Sequence, residues 1–154
     1  MDDPKLSELT SHLRFRDRVR ATLQTLKDYG LDPIIYEGKR SLAEQRKKVS
    51  QGRSKTLESF HVKRGPDAGS LAADIASEKD GWNVQRRFWF VLGASCRARG
   101  LGWGGLFNLS AEEREALLTA IDVLRIAKFP EKHDAYSVKI GWDPAHVQTK
   151  SNWI

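Results

Sequence analysis

Two histidines and two aspartates, His61, Asp74, Asp143 and His146, are the residues of this 154-residue chain best suited to do chemistry. They occupy short apolar or small-residue settings: Ser59-Phe60-His61, Ala72-Ala73-Asp74-Ile75 and Gly141-Trp142-Asp143-Pro144-Ala145-His146-Val147. Two imidazoles and one carboxylate can hold a zinc ion and leave a fourth position open for water. A second carboxylate, three residues before the last histidine, can then take a proton from that water. From the residues by themselves another reading stays open, because a histidine among apolar neighbours is often just a hydrogen-bonded core residue. The remaining histidines are expected at the surface. His12 falls in a basic amphipathic segment, and His133 lies in the charged stretch Pro130-Glu131-Lys132-His133-Asp134.

These residues need a frame to bring them together. Leu6, Leu9, Leu13, Val19, Leu23 and Leu26 recur at three- and four-residue steps with one six-residue gap, which predicts an amphipathic helix over 5–29 that stops at Gly30. Residues 32–36 read as a short strand. Ser41 and Glu44 form a capping box that opens a second helix over 41–51. Residues 71–76 read as a buried strand carrying Asp74. A helix over 84–99 places Phe88, Val91, Leu92, Ser95 and Cys96 on one face, and 102–105 is a tight glycine loop. A second capping box, Ser110 with Glu113, opens a helix over 110–128, which Phe129-Pro130 ends. Residues 136–140 alternate and read as a strand leading into the Asp143–His146 stretch. Helices and short strands out of strict alternation imply an α+β fold, a single domain over 1–154.

Composition narrows the partners. The 26 Lys and Arg outnumber the 20 Asp and Glu, giving a formal charge of +6. That suits an anionic partner such as a bacterial wall, or simply solubility. The basic residues of 5–29 and 39–64 offer a rival reading as a non-enzymatic nucleic-acid-binding module, but they alternate with acidic ones and no helix-turn-helix, zinc-finger or aromatic RNA-binding signature is present, so no nucleic-acid partner is expected. One cysteine, Cys96, excludes both a disulfide within the chain and a cysteine-rich structural zinc site, and it reads as a small core residue. No apolar run approaches 18 residues, so no membrane insertion is expected, and Met1-Asp2-Asp3-Pro4 lacks the apolar core of a signal peptide.

Four stretches in order carry a resemblance. They are Gly38-Lys39-Arg40-Ser41-Leu42-Ala43-Glu44-Gln45 followed by Gln51-Gly52-Arg53-Ser54; Ser59-Phe60-His61 with Ala72-Ala73-Asp74; Gly100-Leu101-Gly102-Trp103-Gly104-Gly105; and Asp143-Pro144-Ala145-His146. In these the chain resembles the D-alanyl-D-alanine carboxypeptidase-like zinc peptidases, most closely their phage endolysin branch, the L-alanyl-D-glutamate endopeptidases. The resemblance implies a small antiparallel sheet flanked by helices, of the Hedgehog and DD-peptidase kind. It implies Zn2+ bound by His61, Asp74 and His146, with Asp143 as the catalytic acid–base. Arg40 is the implied cation for an oxyanion or a substrate carboxylate, and Ser59, Gln45 and Trp103 are the implied substrate-side residues. The implied substrate is the stem peptide of bacterial peptidoglycan, with trimming of terminal D-alanine as the alternative activity. A monomer is expected that accumulates in the host cytoplasm without a signal peptide and acts on the wall after release. The chain departs from the family in three ways. His61 and Asp74 are 13 residues apart, a wider spacing created by an insertion over 62–71 that offers Asp67 as a rival ligand. Asp74 is preferred for its strand-like setting, and Asp67 reads as a turn residue. Leu106-Phe107 replaces the usual pair after the Trp-Gly-Gly loop, and a helical insertion over about 108–130 either walls the cleft or packs outside it.

Overall fold

Among the described residues, four strands make one antiparallel sheet: β1 (Pro33–Glu37), β2 (Ala72–Ser77), β3 (Gly102–Trp103) and β4 (His146–Gln148), in spatial order β1-β2-β4-β3. The computed structural model describes residues 2–54, 56 and 59–153. Four α-helices among these residues accompany the sheet: α1 (Phe15–Asp28), α2 (Leu42–Ser50), α3 (Arg86–Ala98) and α4 (Ala111–Ile126). The expected α+β class and small antiparallel sheet are therefore observed. Among the described residues, no helix is long and apolar enough to cross a membrane.

Side-chain alternation splits the sheet into two faces. Ala73, Ile75, Val147 and Ile35 join the hydrophobic core. Asp74 and His146 alternate with these residues and so lie on the other face. Pairing aligns the two faces across strands: Ile35 lies opposite Ile75, Ala73 opposite Val147, and Asp74 opposite His146. A bulge at Tyr36 then brings Glu37 opposite Asp74.

α3 is central to the core. Every residue from Phe88 to Cys96 is buried, because α1, α4 and β3 all pack against this helix. Gly93 lies at its middle, a position where glycine ordinarily weakens a helix. Here a Cβ would stand 2.6 Å from the Trp103 indole, so the missing side chain is the space that the ring occupies. α4 adds Leu117, Ala120, Ile121 and Leu124 to the same core, so the 108–130 segment packs on α3. Burial pushes the Cys96 thiol far up from its ordinary value, as expected of a core residue. Residues beyond β4 cover the β3 edge: the Asn152 amide bonds both N–H and C=O of Trp103 at 3.0 Å, and Trp153 stacks on the Trp103 ring at 5.9 Å.

Both capping boxes form, Ser41 with Glu44 and Ser110 with Glu113. Two elements differ from expectation. The helix predicted over 5–29 is regular only from Phe15; before it come 3-10 turns Pro4–Glu8 and His12–Arg14, with Leu13 and Arg14 at φ 54° and 58°. The break has a long-range cause. Thr10 donates its backbone N–H to Ser70 O at 2.9 Å, and the Asp67 carboxylate accepts from Thr10 Oγ1 at 2.6 Å and from Ser11 N at 2.8 Å. The 62–71 insertion thus folds back to clamp the N-terminal segment, and Asp67 is its clasp, bonded to Thr10 and Ser11 and outside the His61, Asp74 and His146 cluster. Residues 136–140 are not a strand: Asp134–Ser137 form a 3-10 turn whose Tyr136 carbonyl is taken by the Arg86 guanidinium, which also holds Val138 O. The strand in this part of the chain is β4.

Hydrogen bonds from Ser11, Thr10 and Gly69 hold the Asp67 carboxyl well below the ordinary carboxylate range. A carboxyl depressed in the folded state stabilises above its unfolded pKa, and that contribution fades as pH falls toward the folded value. Asp67→Ala is expected to lower the melting temperature by a constant amount above about pH 5, with the gap to wild type closing below about pH 4. Calorimetry across pH 3–7 checks this. Gly93→Ala is expected to cost about 1–3 kcal/mol by overpacking against Trp103, measured by denaturant unfolding.

Candidate metal centre

The β2–β4 register places the Asp74 carboxylate between two imidazoles. Asp74 Oδ1 lies 3.1 Å from His61 Nε2 and 3.5 Å from His146 Nδ1, and the three ligand atoms all fall within 4.8 Å of one another. The two rings meet edge to face with centroids 5.1 Å apart. His61 comes from the loop before the 62–71 insertion; its backbone is held by Ser59 Oγ, which accepts from His61 N at 3.2 Å, and by Arg40 N, which donates to His61 O at 2.9 Å.

The partners of the outer ring nitrogens decide what faces inward. His61 Nδ1 lies 2.8 Å from Gly38 O, which can only accept, so Nδ1 carries the proton. His146 Nε2 lies 2.9 Å from Gln148 Oε1, and the Gln148 amide donates to Lys150 O at 3.2 Å, which orients its oxygen toward the histidine. His146 Nε2 therefore carries the other proton. With both rings neutral, two ring lone pairs and a carboxylate oxygen converge on one point; in the absence of a metal a proton on an inner ring nitrogen bonds Asp74, and a cation can take that proton's place. Imidazoles held by an acceptor behind each ring are the usual setting of metal ligands.

Charge leads to the same place. Glu37 is answered by Arg40, whose Nε lies 2.6 Å from Oε1, with Lys48 at 4.0 Å. Arg40 Nη2 lies 3.9 Å from Asp74 Oδ2, and the Arg40 charge also acts on Asp143. Burial pushes the Asp74 carboxyl up, but its bonds to His146 and His61 outweigh that and leave it net below its ordinary value. For Asp143, burial raises the carboxyl, and the neighbouring Asp74 charge raises it further. Two carboxylates that raise each other's cost of ionisation in a half-buried setting are eased by a further cation. The residues could therefore hold a metal ion.

The Asp143 stretch is fastened from three sides. Its carbonyl accepts from His146 N at 3.1 Å, Ile75 N donates to Ala145 O at 2.9 Å, and Trp103 Nε1 donates to Pro144 O at 2.7 Å. Trp103 is fully buried, so it supports this loop from within the core and does not line a pocket as expected from sequence. Gln45 is also fully buried: its Oε1 accepts from Arg40 Nη1 at 2.5 Å, and its amide holds Ser54 Oγ and Thr56 O. It aims the guanidinium and does not face an open cleft. Arg40 Nη1 also reaches Ser59 Oγ at 3.4 Å. Arg40, Gln45 and Ser59 thus form one network beside Asp74. Sequence reasoning missed Glu37 and Gln148. Gln148 carried a usable signal, since a residue two beyond a strand ligand shares its face; Glu37 carried none, because a bulge brings it there.

No protein-family model matches the chain, and no curated protein matches it. Among solved structures, the chain is similar to the Serratia marcescens L-Ala D-Glu endopeptidase ChiX, with a TM-score of 0.52 and 20% identity, covering 94% of this chain and 82% of that one. At that identity the likeness is one of fold.

Gln148→Ala is expected to weaken metal binding about 10- to 100-fold while the protein stays folded. Competition against a chromophoric chelator, with circular dichroism as the control, measures this.

Proposed function

We propose that this protein is a zinc-dependent peptidase that cuts the stem peptide of bacterial peptidoglycan, with the L-alanyl-D-glutamate bond as its target. One observation carries this function: His61, Asp74 and His146 bring three ligand atoms within 4.8 Å of one another, near a second carboxylate whose proton affinity burial has raised. The fold shared with ChiX supports the choice of substrate.

His61, Asp74 and His146 would hold the ion. When bound, zinc lowers the pKa of a coordinated water and polarises the scissile carbonyl. Asp143 takes the proton from the attacking water and later passes it to the leaving amine, a role its raised proton affinity suits. Arg40, fixed by Glu37 and Gln45, presents its remaining edge to the developing oxyanion or to a substrate carboxylate. Ser59 holds the His61 backbone and the Arg40 guanidinium in register. The formal charge of +6 favours approach to an anionic wall. We assign the protein the role of a phage endolysin that acts as a monomer on the wall after release from the host cytoplasm.

Purified peptidoglycan digested with the zinc-loaded protein is expected to show new L-Ala and D-Glu termini by mass spectrometry, lost with a chelator and restored by Zn2+. Release of D-alanine alone would move the assignment to a carboxypeptidase. Asp143→Ala is expected to reduce turnover on the order of 10²- to 10⁴-fold with zinc content unchanged; a variant that loses its zinc would make Asp143 a ligand.

A further inference from the structure

Beside the metal centre stands an aromatic wall that the chemistry above does not use. The Phe107 ring packs on the His146 imidazole, centroids 5.4 Å apart, and Trp142 packs on Phe107 at 6.0 Å. Trp142 directly precedes Asp143, yet it is 56% exposed, an unusual position for the largest apolar side chain. The two rings are held at a fixed separation by the backbone beneath them. Gly141 N donates to Gly105 O at 2.5 Å, and a Cβ at Gly141 would lie 2.6 Å from both Phe107 N and Phe107 O. No other residue permits this approach, so the platform is preformed.

We propose that Trp142 and Phe107 form a sugar subsite, which takes a pyranose ring of the glycan strand to which the stem peptide is attached. The inference rests on the peptidoglycan assignment and adds a part of the substrate to it. Shape selects the occupant. An apolar side chain calls for an enclosed pocket, whereas a ring more than half exposed offers an open flat face. The stem peptide presents methyl groups, carboxylates and amines, none of them broad or flat. A pyranose presents a broad C–H face with polar groups at its rim, the complement of an exposed indole. Continuity selects the place: from Trp142 through Phe107 the platform runs unbroken to a metal ligand, so a sugar there lies within reach of a peptide bond at the centre. Trp142 thereby sets a preference for peptide still attached to glycan.

The test compares two soluble substrates prepared from peptidoglycan, the disaccharide-linked stem peptide and the free stem peptide, with zinc-loaded wild type, W142A and W142F. Wild type is expected to prefer the disaccharide-linked substrate. In W142A the ratio of the two kcat/KM values is expected to fall on the order of tenfold, the worth of one aromatic face, mainly through KM. W142F is expected to restore most of the ratio. Equal losses on both substrates, no loss on either, or loss of zinc from W142A would each overturn the subsite while leaving the peptidase standing. A zinc-loaded wild type that cleaves neither substrate would overturn the peptidase and the subsite together.

Discussion

The pairing of β2 with β4 is the constraint on which everything else depends. Asp74 faces His146 only because Ala73 faces Val147 in the core. The side-chain period of a strand is two, so a slip of one residue would turn Asp74 into the core and Ala73 into the cleft. The apolar partners thus fix the register, and the register fixes the placement of Asp74 and His146. This ties the site to the part of the sheet most costly to disturb. The neighbouring strands add their own groups through the same ladder: β1 supplies Glu37 through a bulge, and β3 supplies Trp103, which reaches under β4 to hold the loop carrying Asp143.

The site contains few free polar groups of its own. Each histidine gives its outer nitrogen to an oxygen, Gly38 O or Gln148 Oε1, and Arg40 spends most of its donors on Glu37, Gln45 and Ser59. What remains unspent points to one place. Such a centre is ordered before any ligand arrives, so binding requires little reorganisation.

Much of this was legible in the chain, and the failures have physical reasons. His61, Asp74 and His146 were visible as polar residues in apolar settings, and the two capping boxes marked the starts of α2 and α4 because their chemistry is local. The helix over 5–29 was drawn too long because its break comes from Asp67, more than fifty residues away, and periodicity cannot register a distant hydrogen bond. Residues 136–140 alternate like a strand, but Arg86 takes the carbonyls a neighbouring strand would have needed. Trp103 and Gln45 were assigned to a pocket wall because residue type does not reveal burial. Only Gly93, read together with the ring it accommodates, explains why a tryptophan is buried there.

β4 is the last of the four strands along the chain, yet it has a strand on either side of it. On a ribosome, β2 and β3 have no common neighbour until residues 146–148 have emerged, so the sheet cannot close over a partly made chain. Its contacts span long stretches of sequence, which slows folding relative to a fold built from local pairings. A chain that stops before β4 lacks His146, the third residue of the candidate metal centre. The candidate metal centre is therefore completed in one step, when β4 joins the sheet.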